Sequence, residues 1–202
     1  LSNVAKLKDI SVLLSLLASL NVHVTLSKDL LVLDSSQAHF AELDSSQAGQ
    51  IRASVLLLGP LLARFQHVVL PTPGGCKIGK RPIDFHLHAI EQLGAQIRYD
   101  GQNVIASAPH GLRGGRVVMP LPSVTATENA LMAAIGAKGQ TRIENPSQDS
   151  EVLELIRFLQ AMGYSITIEK EAFTVISDGP ITTQSVDFHI MSDRMEIGTW
   201  IA

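Results

Sequence analysis

The sequence predicts a mixed α/β (α+β) fold: one domain of three βαβαββ-type units, with apolar helices buried at the centre and sheets outside. Three observations predict it. A helix, strand, turn, strand pattern occurs three times at nearly constant spacing. Each of the three helices is followed by a residue that tolerates left-handed backbone. Between the copies lie helix candidates too apolar to rest on a surface.

The first copy spans residues 10–34, where ISVLLSLLASLN precedes VHVTL, a polar turn and LLVLD. In the second, residues 84–108, DFHLHAIEQLG precedes AQIRY, the turn DGQN and VIASA. The third spans residues 150–178, with SEVLELIRFLQAMG before YSITIEK and AFTVISD. Helix ends at Leu20, Leu93 and Met162 set the repeat at 73 and then 69 residues. Gly94 and Gly163 follow the second and third helices, and Asn21 takes that place in the first. Two further helices are expected, over 52–65 and 127–137, each leading into a strand, 68–71 and 140–145. The run RASVLLLGPLLARF has no wide polar face, which predicts burial. Three such units around a pseudo-threefold axis bury five or six helices.

Composition narrows the function classes. Of 202 residues, 46% are hydrophobic and 17% charged, enough apolar material for a full core. Lys plus Arg number 16 against 19 Asp plus Glu, a net charge of −3, so there is no basic field for nucleic acid. An anionic ligand must be held by local cations. The single cysteine, Cys76, excludes an internal disulfide and points to a reducing, cytoplasmic compartment. Residues 10–20 are apolar but interrupted by Ser11, Ser15 and Ser19 and too short for a bilayer, so neither a signal sequence nor a membrane partner is expected.

The chemistry concentrates in residues 73–88, PGGCKIGKRPIDFHLH. Cys76 follows two glycines on a loop and stands within five residues of Lys77, Lys80 and Arg81. Such cations favour a thiolate and draw a cysteine below its ordinary pKa. A free surface thiol without a task is the bland alternative.

Four segments resemble the enolpyruvyl transferase family, in its UDP-N-acetylglucosamine branch. They are IRASVLLLGPLLARF (51–65), LPTPGGCKIGKRPIDFHLHAIEQLGA (70–95), PSVTATENALMAA (122–134) with TRIENPSQDSEV (141–152), and SDRMEIGTW (192–200). Their order and spacing follow the family over nearly the whole chain, and the loop pattern is highly specific. The resemblance implies an inside-out α/β barrel fold in two such domains. It implies transfer of the enolpyruvyl group from phosphoenolpyruvate to the 3-hydroxyl of UDP-N-acetylglucosamine, with no metal or other cofactor.

By the same resemblance, Cys76 is the general acid toward the phosphoenolpyruvate methylene, on a loop acting as a lid, and Arg52 and Arg81 hold that substrate's phosphate and carboxylate. Planar guanidinium forks suit both anions. Arg81, Pro82, Ile83, Asp84 and Phe85 line the uracil pocket, and His86 lies near the nucleotide. Helix capping is the plain alternative for this stretch, with Pro82 in the first turn and Asp84 at the positive helix end. His88 is expected on the helix surface. Ser123, Val124 and Thr125 face the diphosphate at a helix start. Two residues depart from the family pattern there: Thr125 replaces a glycine and Leu121 a lysine. Asp193 and Arg194 match the interdomain strand.

The chain begins at Leu1 and ends at Ala202 inside an apolar run. A fragment is expected: residues 1–190 as the cysteine-loop domain, 191–202 as the start of a connection to an absent second domain. The family's amino-terminal Lys-Asn pair and its second-domain aspartate and arginines have no counterpart, so the chain alone is expected to be inactive. The partners implied are phosphoenolpyruvate, UDP-N-acetylglucosamine and that second domain. Two readings compete: a degenerate relative serving as a nucleotide-binding or interaction module, and the shikimate-pathway transferase, whose branch lacks the GGC loop.

Overall fold

The computed structural model describes residues 1–28, 30–71, 82–179, 185–194 and 198. The third unit is complete. Strand β6 (Arg116–Val118) leads through α5 (Val124–Ala134) to β7 (Lys138–Glu144), then through α6 (Ser150–Ala161) to β8 (Ser165–Ile168) and β9 (Ala172–Asp178). The sheet order is β6-β7-β9-β8, with β6 parallel to β7 and the other pairs antiparallel.

The second unit holds a 3-10 turn (Arg52–Leu57), α3 (Leu58–Phe65), β3 (His67–Pro71), α4 (Asp84–Glu91), β4 (Gln96–Asp100) and β5 (Asn103–Ser107). Its sheet runs β3-β5-β4, antiparallel throughout. The first holds α1 (Lys8–Ser19) and the hairpin β1 (His23–Ser27) and β2 (Leu30–Asp34), followed by the single turn α2 (Ser45–Ala48).

The remaining strands of the first sheet come from both ends of the described chain. Ser2 bridges antiparallel to Leu30 and parallel to His189. Ser2 N donates to Phe188 O at 3.0 Å, Ile190 N to Ser2 O at 3.1 Å, and Leu31 N to Leu1 O at 2.8 Å. Read across, the His189 segment, the Ser2 segment, β2 and β1 reproduce the roles of β6, β7, β9 and β8. The predicted unit is therefore met in the first sheet by residues 187 apart.

Asn21, Gly94 and Gly163 have φ of 61°, 93° and 92°, the left-handed conformation expected after each repeat helix. The helix expected over 52–65 is divided. Pro60 has no N–H and cannot sit in a helix interior; starting the α-helix at Leu58 puts it in the first turn, where that donor is not needed. The helix expected over 127–137 runs three residues earlier, since Ser123 takes the extended N-cap conformation (φ −124°, ψ 122°) and Val124 begins the turn.

The core is centred on α5, which packs on α3, α4 and α6. Seven of its residues are buried, among them Ala126, Ala130, Ala133 and Ala134. These small side chains let helices approach closely, and Gly59 of α3 lies against the α5 backbone at Asn129. Large apolar groups fill the space outside this contact, including Leu58, Leu62, Leu131 and Phe173. Central burial does not extend to α1, where only Leu16 is buried. That helix packs mainly on α2, β1 and the 3-10 turn, and Leu26, Leu30 and Val32 of its sheet are exposed.

Candidate functional site

Three backbone starts converge: the 3-10 turn, α4 and α5. Arg52 opens the 3-10 turn, half-buried, and its Nη2 donates to the carbonyl of Pro82 at 2.9 Å. Ile83 is the N-cap of α4, so Pro82 stands just before the helix and not in its first turn as expected. Its ring carries the chain toward α4 while its carbonyl remains free for Arg52.

His86 of α4 is buried, 3% exposed, and its Nε2 lies 3.3 Å from Thr125 Oγ1 on α5. Its Nδ1 lies 2.7 Å from Asn129 Nδ2. The same Nδ2 donates to Val55 O at 2.8 Å, and Asn129 Oδ1 accepts from Gly59 N at 2.9 Å. A buried hydrogen-bond chain thus joins the 3-10 turn, α3, α4 and α5.

Burial, and then the nearby Arg52 charge, lower the His86 pKa to about 4, while Asp84 opposes the shift. The imidazole is neutral at pH 7. Glu128, half-buried on α5, is moved the other way, up to about 7, by burial and by Glu151. Glu151 pairs with Arg194 at 2.7 Å, and Arg194 also meets Asp149 at 3.2 Å. Asp149 is held below its ordinary value by Ser147 first and by Arg194 as well.

The structure brings Arg52, Pro82, His86 and Thr125 together. Ser123 is the N-cap of α5 with no side-chain cap bond, and Val124 follows it, packed partly on the core. Ile83 and Phe85 are half-buried against the core, whereas Asp84 and His88 are exposed on α4. Cys76 and Arg81 lie outside the described residues. Thr125 occupies the first turn of α5 without positive φ, so the position does not call for glycine's freedom. Leu121, in place of the lysine, is 61% exposed.

Sequence reasoning missed Asn129 and Glu128. The available signal was two adjacent polar residues inside TATENALMAA, a helix otherwise read as core. A groove of about 410 Å³ lies elsewhere, lined in part by Val118, Arg142, Glu144 and Lys170. None of the expected site residues borders it, and Arg142 is already paired with Glu169 at 2.7 Å. The helix starts are the better candidate. Among the described residues no helix is long and apolar enough to cross a membrane.

Comparison with known proteins agrees with this arrangement. The family EPSP synthase (3-phosphoshikimate 1-carboxyvinyltransferase) matches residues 1–202. The chain is 40% identical over 200 residues to the UDP-N-acetylglucosamine 1-carboxyvinyltransferase of Gluconobacter oxydans, covering 99% of this chain and 48% of that protein. The protein of the same name from Coprothermobacter proteolyticus is 41% identical over 201 residues, covering 99% and 47%. The chain thus spans about half the length of the curated relatives it matches.

Among solved structures, the enolpyruvyl transferase NikO from Streptomyces tendae superposes with a TM-score of 0.86 at 20% identity, over 99% of this chain and 48% of that one. The EPSP synthase of Acinetobacter baumannii gives 0.69 at 21% identity, over 88% and 41%. These two likenesses establish the fold. With the whole of residues 1–202 matched, the chain belongs to the EPSP synthase (3-phosphoshikimate 1-carboxyvinyltransferase) family.

Proposed function

We propose that the protein containing this chain transfers the enolpyruvyl group of phosphoenolpyruvate to the 3-hydroxyl of UDP-N-acetylglucosamine, releasing phosphate, the first committed step of peptidoglycan synthesis in the cytoplasm. The observation that carries the reading is the convergence of Arg52, Pro82, His86 and Thr125 at three helix starts. It gains weight from curated relatives of that name at 40% and 41% identity along nearly the whole chain.

The sugar oxygen bonds to C2 of phosphoenolpyruvate and loses its proton, while the methylene carbon gains one. That carbon then gives up a proton and phosphate leaves with the C–O electrons, restoring the double bond. In this reading Cys76 supplies the proton to the methylene, as a thiol among Lys77, Lys80 and Arg81 can near neutral pH. Arg52 and Arg81 hold the phosphate and carboxylate, residues 81–85 take the uracil, and Ser123, Val124 and Thr125 take the diphosphate.

Residues 1–190 act as one domain and 191–202 lead to a second that shares the substrates. The pairing of Ser2 with His189, which completes the first sheet, supports a boundary just beyond that strand.

The test is phosphate release by the complete gene product given both substrates. Activity lost in Cys76→Ala, with an epoxide mimic of phosphoenolpyruvate captured on Cys76 in the parent, supports the reading. Unchanged turnover in Cys76→Ala refutes the proton-donor role. Binding of UDP-N-acetylglucosamine without turnover in the parent supports a degenerate binding module instead.

A further inference from the structure

The buried chain around His86 allows only one arrangement of its hydrogens. Gly59 N is a donor and Val55 O an acceptor in any protonation state. Asn129 lies between them, so its Oδ1 must face Gly59 N (2.9 Å) and its Nδ2 must face Val55 O (2.8 Å). The second hydrogen on Nδ2 then points at His86 Nδ1, 2.7 Å away, which must accept it through a lone pair. A neutral imidazole accepting at Nδ1 carries its proton on Nε2. That proton is donated to Thr125 Oγ1 at 3.3 Å. The hydroxyl oxygen of Thr125 is thereby occupied as an acceptor, and its own hydrogen is left to donate.

We infer that Asn129 is a positioning residue: through the Nε2–H form of His86 it turns the Thr125 hydroxyl into a donor for a phosphate-type oxygen at the start of α5. This rests on the diphosphate reading of that helix start and deepens it. Leu121 brings no charge to the region. A hydroxyl with a fixed donor sense, beside the unpaired N–H groups of the first turn, supplies neutral hydrogen bonds in place of a cation. Asn129 is completely buried and touches no solvent, so it acts on a ligand only through the groups it bonds, of which His86 is the one that reaches Thr125.

Among the described residues, Arg52 and Asp84 are the charged groups that act on His86, and burial together with Arg52 keeps the ring neutral through the physiological range.

The test uses the complete gene product. Without ligand, long-range 1H–15N spectra of 15N-histidine protein should show His86 protonated at Nε2 only and unchanged from pH 8 to pH 5.5. In Asn129→Asp, a carboxylate replaces the donor facing Nδ1, so His86 should acquire a proton there and begin to titrate. A His86 signal protonated at Nδ1 in the parent overturns the inference, whatever the ligand does. Should Asn129→Asp fail to fold, Thr125→Val and Thr125→Ser decide the other end.

Binding is measured with UDP-N-acetylglucosamine and with inorganic pyrophosphate. Loss of a hydrogen bond to a charged oxygen should weaken binding by Thr125→Val roughly tenfold or more. Thr125→Ser, which keeps the hydroxyl, should stay within about threefold, well under the roughly 1.4 kcal/mol that a tenfold change represents. Equal affinity in Thr125→Val and the parent overturns the donor role. Parent protein that binds pyrophosphate but not the sugar nucleotide overturns the proposed substrate and leaves the relay standing; parent protein that binds neither overturns the anion end of the relay.

Discussion

Replacing Gly59 with alanine tests how closely α3 and α5 approach. A Cβ at residue 59 would fall 2.6 Å from the Asn129 backbone oxygen, 2.9 Å from its Oδ1 and 3.3 Å from Ala133 N. Two of these atoms belong to the α5 backbone and cannot move alone. Separating the helices overpacks a filled core at a cost of about 1–3 kcal/mol. Turning the Asn129 side chain away would relieve only the 2.9 Å contact and would leave the buried Gly59 N–H without its acceptor, so it offers no cheaper escape. Alanine's better helix propensity returns at most about 1 kcal/mol. A backbone oxygen at 2.6 Å places the cost in the upper part of that range, about 2–3 kcal/mol, so the net loss is about 1–2 kcal/mol, and for a chain of this size each kcal/mol lowers Tm by about 2–4 °C. The expected fall is about 2–8 °C, read by circular dichroism melts and urea titration. A Gly59→Ala protein as stable as the parent would refute the close approach and the Asn129 geometry that depends on it.

Gly94→Ala separates conformational from steric cost. Nothing lies within 4 Å of the added Cβ, yet φ is +93°, so a loss of about 1–2 kcal/mol in urea titration should come from backbone strain alone. No loss would mean that the turn relaxes. Glu128→Gln should alter the pH dependence of stability. With a folded pKa near 7 and an unfolded pKa near 4.5, the native state holds the extra proton between them, so this group lowers stability as pH rises from 4.5 to 7. The variant minus parent difference in urea stability should therefore grow in its favour across that window and level off above pH 7. A flat difference would show that Glu128 ionises normally.

The repeat units were legible in the sequence because their punctuation is local. Asn21, Gly94 and Gly163 announce a backbone conformation by residue type, whatever surrounds them. The helix over 52–65 was misjudged where a local rule was set aside, since Pro60 marks a helix start and the apolar pattern runs straight through it. The helix that follows Ser123 was expected to begin near Thr127 and not at Val124, because serine and the β-branched residues after it read equally well as a turn.

Expectations for Arg52, His86 and Thr125 came from family resemblance, and the structure supplies the contacts among Arg52, Pro82, His86 and Thr125. Asn129 was not legible at all. Its partners Gly59, Val55 and His86 lie 70, 74 and 43 residues away, and no sequence period encodes such a meeting. The exposure of β1 and β2 was equally hidden, since an apolar strand looks the same whether or not another element covers it.

The parallel bridge between Ser2 and His189 bears on the order of assembly. All six elements of the third unit lie within residues 116–178, so they can pair soon after leaving the ribosome. The first sheet must wait for residues 188–190, because Ser2 N has its acceptor at Phe188 and Ser2 O its donor at Ile190. Closing so long a loop is slow but adds little equilibrium cost, since each doubling of length adds only about 0.6 kcal/mol. The amino-terminal edge of the first sheet therefore stays open through synthesis of the whole third unit and closes only once residues 188–190 join it.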